Sequence, residues 1–281
     1  MAIDPAFYVV ATPIGNLQDI SLRAVDVLQS VELIAAENTR HSSVLMRHFS
    51  IDTSLIPYHD YTDNKTVDKI LELLSQGKSV ALISDAGTPL ISDPGYRLVS
   101  RVHEQGYSVV PIPGASAVIA ALCAGGLATD RFVFEGFLPA KSGARKKALE
   151  THLDERRTLV FYEAPHRIVE SLSDMVSVFG EERIGVLARE LTKQYETIRR
   201  LPLGRLLSWV SDDINQRRGE IVVMLEGAQK YSGDMTEEDE RVLKILAEDL
   251  PLKQAATLAA KITGRRKNFL YHYLLTLKDN S

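Results

Sequence analysis

The stretch that decides the fold is VALISDAGTPLISDPG at residues 80–95. Its first four residues, VALI, form a short apolar run that is typical of a strand buried on both faces of a parallel sheet. Small residues at 84–89 end this strand, and Asp93 and Pro94 then predict the N-cap and first turn of a helix. Because open α/β sheets bind ligands at the carboxyl ends of their strands, this loop predicts a small-molecule site around Asp85.

Two further loops repeat this design. An apolar segment at 8–11 leads into TPIGN at 12–16, and another at 109–112 leads into PGAS at 113–116. Ser116 is the predicted N-cap of the next helix, whose free amides suit a carboxylate or a phosphate. The sequence contains neither GxGxxG nor GxxxxGK[ST], the fingerprints of dinucleotide and P-loop sites. Three loops of one kind therefore favour a shared ligand that is bound in neither of those ways.

The composition is that of an ordinary globular protein. The chain has 281 residues, of which 45% are hydrophobic and 25% charged, and its net charge is −4. A secretory leader and a membrane-spanning run are absent from the sequence, which predicts a cytoplasmic protein with no membrane partner. Basic residues are concentrated at 141–147 and 265–267, and such local spots can bind RNA even when the whole chain is acidic.

The order of the predicted elements divides the chain into three parts. Residues 1–127 alternate strand-like and helix-like segments, which predicts an α/β domain with a mostly parallel sheet. A second α/β domain with a mixed sheet is expected over 128–229, and a cleft between two domains is a favoured ligand position. A helical extension over 235–281, with a glycine-containing turn at Gly264, resembles a helix-turn-helix and predicts RNA binding. A helical dimerisation or capping module is the alternative.

Six motifs occur in a fixed order along the chain: TPIGN at 12–16, ENTR at 37–40, SDAGTPLISDPG at 84–95, PGASA at 113–117, FYEAPHR at 161–167 and ARELTK at 188–193. Together they resemble the ribosomal RNA small subunit methyltransferase I family, within the tetrapyrrole methylase superfamily. The resemblance covers nearly the whole chain. It implies a two-domain homodimer that holds S-adenosyl-L-methionine between the domains. The implied reaction is 2′-O-methylation of a cytidine ribose in the decoding region of small-subunit (16S) ribosomal RNA.

The resemblance also implies which residues hold the cofactor. Carried over motif by motif, they are Pro13, Ile14, Asp85, Ala86, Gly87, Thr88, Ile91, Ala115, Ser116, Phe161 and Tyr162. The amino-acid end of the cofactor is expected near Ser116 and its adenine against the 161–162 segment. Tetrapyrrole-modifying relatives carry Gly-Asp-Pro in the second loop, where this chain has Gly-Thr-Pro at 87–89 and its acidic residue at position 85.

Methyl transfer to a ribose oxygen requires aligned reactants and a group that removes the hydroxyl proton. Asp85 is the first candidate for this base, with an Asx hydrogen bond that braces the loop as its alternative role. Glu37 and Arg40 lie at another strand end and form either a structural ion pair or a second catalytic and phosphate-binding group. His59 ends a further strand and is the third option. The metal-ligand spacings CxxC and HExxH are absent from the sequence, so no metal is predicted.

The expected partner is small-subunit ribosomal RNA or the assembled small subunit. The basic residues expected to contact its phosphates are Lys141, Arg145, Lys146, Lys147, Lys253, Lys261, Arg265, Arg266 and Lys267. Two other functions stay open, a tetrapyrrole C-methyltransferase and a non-catalytic RNA-binding factor of ribosome assembly. The basic helical tail argues against the first, because a small macrocycle does not need it. The three small-residue loops argue against the second, because a protein that only binds RNA has no use for them.

Overall fold

A computed structural model describes residues 3–59, 64–228, 235–265 and 267–279 of the chain. The chain forms two compact units, Met1–Ala228 and Gln229–Ser281. The first unit contains two five-stranded sheets. None of the helices in the described ranges is long and apolar enough to cross a membrane.

The first sheet is entirely parallel, with strand order β3-β2-β4-β1-β5. Its strands are β1 (Phe7–Val10), β2 (Leu33–Ala36), β3 (Leu55–Pro57), β4 (Val80–Ile83) and β5 (Val109–Ile112). The helices that follow these strands are α1 (Leu22–Ser30), α2 (Thr39–His48), α3 (Asn64–Ser75), α4 (Tyr96–Glu104) and α5 (Ala117–Gly125). The predicted parallel α/β sheet is confirmed.

Strand β4 shows why this sheet forms. Its four side chains are all buried, and they alternate between two apolar cores on opposite faces of the sheet. Ala81 and Ile83 pack with residues of α1 and α2, whereas Val80 and Leu82 pack with residues of α3 and α4. A strand covered on both faces has no polar side to present to water, which explains the uninterrupted apolar run. The carboxyl ends of β1, β4 and β5 meet at one edge, so the three small-residue loops lie side by side.

The predicted start of the helix after β4 is wrong. Asp93 is not the N-cap, because helix α4 begins at Tyr96 and its N-cap is Gly95, with φ of 135°. This φ is not helical and favours glycine, and a Cβ atom at Gly95 would lie only 2.8 Å from Cδ2 of Leu82. The helix therefore starts later than the local sequence predicts, and Asp93 stays in the loop. Ser116 is the N-cap of α5 as predicted, although its side chain makes no capping hydrogen bond.

The second sheet is mixed, as predicted, with strand order β6-β7-β10-β8-β9. Only the β6–β7 pair is parallel. The strands are β6 (Phe132–Phe137), β7 (Thr158–Glu163), β8 (Ile184–Arg189), β9 (Thr197–Pro202) and β10 (Ile221–Leu225). Helices α6 (Ser142–Glu150), α7 (Ile168–Phe179) and α8 (Leu203–Asp212) cover one face. Helix α5 packs on the other face, where Leu122 meets Val186 and Met224 in one core, so the two sheets share this helix.

The second unit consists of α9 (Glu237–Asp249), α10 (Leu252–Thr263) and α11 (Lys267–Asp279). Helix α9 begins with a capping box, in which the side chains of Thr236 and Asp239 each accept a hydrogen bond from the other's backbone N–H. Leu243 of α9 packs in a small apolar core with alanines of α10 and with Leu270 of α11. Gly264 ends α10 in the left-handed conformation, with φ of 70°. The predicted helical extension is confirmed.

Candidate active site

A cavity of about 360 Å³ lies where the three loops of the first sheet face the second sheet; it is called the larger cavity below. This volume falls within the range of roughly 300–1,000 Å³ that is usual for small-molecule sites. The predicted cofactor residues that line it are Ile14, Ala86, Gly87, Thr88, Ile91, Ser116 and Tyr162. The second sheet adds the segments 163–165 and 219–222 together with Leu191.

The three loops are tied to one another by hydrogen bonds. Thr12 and Gly87 exchange two backbone bonds, N to O at 2.8 Å and 3.0 Å. The Thr88 hydroxyl donates to the carbonyl oxygen of Ala115 over 3.0 Å, so Ala115 holds the loop in place rather than lining the cavity. This bond also gives a role to the threonine that stands where tetrapyrrole-modifying relatives carry aspartate. The cavity wall is therefore fixed by backbone contacts between neighbouring strand ends.

Gly87 is placed where only glycine fits easily. Its φ is +81°, a conformation that residues with a side chain rarely adopt. A Cβ atom there would lie 3.2 Å from Cγ2 of Ile14, which lines the same cavity. The absence of a side chain keeps the backbone of this loop open to a bound molecule.

Neighbouring residues of strand β7 point to opposite faces of the sheet, so the prediction that Phe161 contacts the cofactor is wrong. Tyr162 lines the larger cavity, and its ring meets that of Phe137 edge-on at 5.5 Å between centroids. Phe161 is fully buried in the core beneath α6, α7 and α8, and so cannot contact a molecule in the cavity. The period of two along a strand is the physical reason. Burial raises the pKa of Tyr162 to about 12, with a further contribution from the charge of Asp93, so its phenol is a stable hydrogen-bond donor at neutral pH.

Asp93 lines the larger cavity and was not among the predicted site residues. Burial raises the pKa of its carboxyl to about 6, and the charges of Glu37 and Asp85 add to this, against a hydrogen bond with Ser84 that lowers it. A carboxyl that titrates close to neutral pH in a cavity has the property required of a general base. In the sequence, Gly95 could reveal the role of Asp93. If the helix must start after this glycine, Asp93 is not its N-cap and stays in the loop.

A second cavity of about 250 Å³, called the smaller cavity below, lies on the other side of the 84–88 loop. Its lining residues are Thr12, Pro13, Gly15, Leu17, His41, Ser42, Val44, Leu45, Ile83, Ser84 and Asp85. Pro13 and Asp85, which the resemblance assigns to the cofactor, therefore face this cavity and not the larger one. Asp85 also braces the loop, because its Oδ1 accepts a hydrogen bond from the backbone N–H of Asn38 over 3.1 Å.

The other candidate bases lie around the start of helix α2. Glu37 is half-buried directly after β2, and its charge contributes to the raised pKa of Asp93. Arg40 is exposed in the first turn of α2, where it can meet an anion that approaches the helix start. His59 is exposed two residues beyond β3. The structure thus brings Glu37, Asp85 and Asp93 into one electrostatic group.

A buried ion pair and two further hydrogen bonds fix the wall that the second sheet contributes. The Glu163 carboxylate accepts hydrogen bonds from Arg167 over 2.7 Å, from the hydroxyl of Ser171 and from the backbone N–H of Ala164. Its oxygens are thereby committed to the end of β7, which favours a structural role. In the described parts of the chain, no group of three or more His, Cys, Asp or Glu side chains could hold a metal ion.

One predicted RNA contact in the 141–147 segment is wrong. Arg145 is fully buried in α6, where its Nε lies 2.7 Å from Oδ2 of Asp174 on α7. This pairing is incompatible with a contact to an external phosphate, because the guanidinium does not reach the surface. Lys146 lies 3.5 Å from the same carboxylate and is partly exposed, whereas Lys141 and Lys147 are exposed.

The predicted RNA contacts of the helical unit fall into two groups. Lys253, Lys261 and Lys267 are exposed. Arg265 is mostly buried, and its Nη2 lies 2.7 Å from Oδ2 of Asp239, the residue of the capping box. Its first role is therefore to join the turn between α10 and α11 to the start of α9. Arg266 lies outside the described residues.

Comparison with known proteins identifies relatives over the whole chain. The model of the Tetrapyrrole (Corrin/Porphyrin) Methylases family matches residues 6–207, and that of the RsmI C-terminal HTH domain matches residues 233–278. The chain is 55% identical to the ribosomal RNA small subunit methyltransferase I of Pseudomonas aeruginosa, over 98% of each chain. It is 53% identical to the protein of the same name from Escherichia coli O157:H7, over 95% of this chain and 94% of that one.

Solved structures with low sequence identity share the fold. A cobalt precorrin-4 methyltransferase of cobalamin biosynthesis superposes with a TM-score of 0.58 at 15% identity, covering 79% of this chain and 95% of that one. A diphthine synthase gives 0.59 at 15% identity, with coverages of 80% and 91%. Together with the six ordered motifs and the near-complete match to the curated relatives, these findings show that the chain belongs to the ribosomal RNA small subunit methyltransferase I family of the tetrapyrrole methylases.

Proposed function

We propose that the chain methylates the 2′-oxygen of a cytidine ribose in the decoding region of 16S ribosomal RNA. Membership in the family makes it an S-adenosyl-L-methionine-dependent methyltransferase of small-subunit ribosomal RNA. The observation that carries the proposal is the larger cavity, which lies at the carboxyl ends of three parallel strands and contains an aspartate whose pKa is raised to about 6.

The residues of the larger cavity fit the cofactor. The amide groups at the start of α5, beside Ser116, suit the carboxylate of the amino-acid end. Gly87 leaves room beside Ile14, and Tyr162 gives an aromatic wall with a hydrogen-bond donor for the adenosine. When bound, the cofactor supplies a methyl group that is already activated on a sulfonium, so the chain has only to align the acceptor oxygen and remove its proton.

Asp93 is the base that the geometry favours. It faces the larger cavity, and a carboxyl with a pKa of about 6 is mostly ionised at neutral pH yet more basic than an ordinary aspartate. Asp85 and Glu37 would raise this basicity through their charges. Arg40 would hold a phosphate beside the acceptor nucleotide.

The remaining parts of the proposal concern the partner and the assembly. Residues 1–127 and 128–229 would act as the two domains around the cofactor, and the helical unit from 235 onward would hold RNA through its exposed lysines. The substrate would be 16S ribosomal RNA, free or in the assembled subunit, in the cytoplasm where ribosomes occur. The chain would act as a homodimer, which light scattering of the purified protein tests.

Mass-spectrometric mapping of ribose methylation tests the proposed reaction. Small subunits from a strain that lacks the gene would be mapped before and after incubation with the purified chain and S-adenosyl-L-methionine. We expect one cytidine of the decoding region to gain a methyl group on its 2′-oxygen. A methyl group on a base, on another ribose or nowhere in the subunit would contradict the proposal.

A further inference from the structure

The smaller cavity contains an unsatisfied buried hydroxyl. Ser42 is only 3% exposed, and its Oγ has no hydrogen-bond partner among the described residues. Buried hydroxyls are nearly always hydrogen-bonded in folded proteins, because an unpaired one costs the free energy of its lost hydration. Since Ser42 lines the smaller cavity, the missing partner points to a molecule that enters there.

The other walls of the smaller cavity combine apolar surfaces with polar groups. Val44, Leu45 and Ile83 give it an apolar side, suited to the flat faces of a ring. His41 and Asp85 give it a polar side together with Ser42. One carboxylate oxygen of Asp85 accepts the Asn38 amide, and a carboxylate has capacity for further donors. A nucleobase has this combination of apolar faces and a polar edge.

The two cavities are lined by neighbouring residues of the same two loops. Pro13 lines the smaller cavity and Ile14 the larger, and in the next loop the change occurs between Asp85 and Ala86. Consecutive Cα atoms are only about 3.8 Å apart, so the groups that line the two cavities at these points are close neighbours. Ala86, which lines the larger cavity next to Asp85, is exposed. A nucleoside base in the smaller cavity would thus hold its ribose at the edge of the larger one.

We propose that the smaller cavity binds the base of the acceptor cytidine, flipped out of the RNA; this inference rests on the proposed function. Bases that undergo chemistry are taken out of their stack into a pocket that reads their edge. The free oxygen of Asp85 accepts from the exocyclic amino group, which cytosine has and uracil lacks, and the Ser42 hydroxyl donates to a ring acceptor. Arg40, exposed in the first turn of α2, holds the adjoining phosphate.

A tryptophan at the mouth of the smaller cavity tests the inference without disturbing the core. Val44 lines this cavity and is 58% exposed, so Val44→Trp narrows its entrance. Leu22→Trp is the matched control, because Leu22 is 86% exposed and lines neither cavity. Methylation of small subunits in single turnover should fall by roughly tenfold or more in Val44→Trp only, equivalent to about 1.4 kcal/mol. Affinity for S-adenosyl-L-methionine should be equal in both variants. Equal methylation rates in the two variants would overturn the inference.

Ser42→Ala supplies a smaller and independent change. Loss of one hydrogen bond should raise KM for the subunit by roughly three- to tenfold, with kcat and cofactor affinity unchanged. A purely structural role for Ser42 would instead lower the melting temperature and leave KM unaltered, which also overturns the inference. Binding of cytidine 5′-monophosphate to the full chain, measured by saturation-transfer NMR, should be lost in Val44→Trp and retained in Leu22→Trp.

The nucleotide measurement separates the two proposals. If the wild-type chain methylates no ribose, the proposed function fails, and cytidine 5′-monophosphate binding alone then decides the inference. Binding that Val44→Trp abolishes would support a nucleoside site in the smaller cavity. Absence of binding, or equal binding by both tryptophan variants, would refute it. If wild type methylates the cytidine and Val44→Trp does so equally well, only the inference about the cavity fails.

Discussion

The two compact units of the chain use charge in opposite ways. The unit that holds the sheets withdraws two charged groups from water, Asp93 partly in the larger cavity and Arg145 fully against Asp174 of α7. In the helical unit the lysines at 253, 261 and 267 are exposed. Electrostatic interactions are strong and little screened in the first setting, and weak and salt-dependent in the second. Substitutions around the cavities should therefore change activity or cofactor affinity strongly, by an amount that does not depend on salt. Substitutions in the helical unit should change RNA affinity weakly, by an amount that does depend on salt.

The largest effect is expected at Asp93. Asp93→Asn keeps the size of the side chain but cannot accept the ribose proton, so the single-turnover rate should fall about 10²- to 10⁴-fold. Asp85→Asn is the comparison variant: it removes a neighbouring charge and a proposed contact to the cytosine base but leaves the Asp93 carboxylate in place, so its rate should fall less. Calorimetric affinity for S-adenosyl-L-methionine should be similar in both variants. A large loss in Asp85→Asn with little change in Asp93→Asn would assign the base to Asp85.

The pH dependence of the rate follows from the same carboxyl. The pKa of Asp93 is raised to about 6, so below this pH the group is protonated and cannot act as a base. The rate should decline about tenfold per pH unit below pH 6 and level off above it. A raised carboxyl pKa stabilises the fold below the unfolded-state pKa, and this contribution is lost as the pH rises through 6. Asp93→Asn should therefore raise the melting temperature at pH 7.5 but not below pH 4, and the opposite order would argue against burial of the charge.

A side chain at Gly87 should weaken cofactor binding. Gly87→Val places two methyl groups beside Ile14 and should reduce affinity for S-adenosyl-L-methionine by at least tenfold, about 1.4 kcal/mol. Gly106→Val is the control for backbone strain, because Gly106 has a similar φ of +76° and no atom within 4 Å of its Cβ position. Calorimetry should separate the two variants. Unchanged affinity in a folded Gly87→Val protein would remove this loop from the cofactor site.

The smallest effects are expected in the helical unit. Affinity for RNA falls as salt rises, and each phosphate contact that is lost should make this dependence less steep. The slope of log affinity against log salt should decrease in magnitude by roughly 0.7–0.9 in each of three variants, Lys253→Ala, Lys261→Ala and Lys267→Ala. Lys69→Ala, in the exposed part of α3, is the control and should leave the slope as it is. Cofactor affinity should stay constant throughout. An unaltered slope in a variant that combines all three substitutions would favour a packing role for the unit, and RNA would then be held by Lys141 and Lys147.

The sequence predicts those parts of the site that depend on local sequence patterns. The apolar run before residue 84 and the helix start at Ser116 suffice to place two loops correctly. The sequence misses Asp93 because its local context, Asp-Pro, favours an N-cap, whereas α4 begins only after Gly95, which has a φ of 135° where a Cβ atom would contact Leu82 of the sheet. Such a contact joins residues that only the folded chain brings together.

Two other errors have the same origin. Arg145 stands in a basic run that is typical of a solvated surface, and its partner Asp174 lies on a different helix. Phe161 and Tyr162 are equal candidates in sequence, and only the cover of α6 to α8 on one face decides which of them points to the cavity. Local propensity thus predicts the elements and loops, whereas long-range packing decides which side chains are available for binding.

Helix α5 has a consequence for the cooperativity of unfolding. It follows the last strand of the first sheet, yet its buried residues Val118 and Leu122 belong to the core of the second sheet. Gly125, at the end of the helix, lies against the side chain of Met224 on β10, whose Cε would have to move if a methyl group were added. Neither sheet can lose its order without uncovering the other, so both should melt in one transition, with the cavity walls already assembled before any ligand arrives. Binding of a ligand would then not have to include the entropy cost of ordering the site, because that cost is already part of folding.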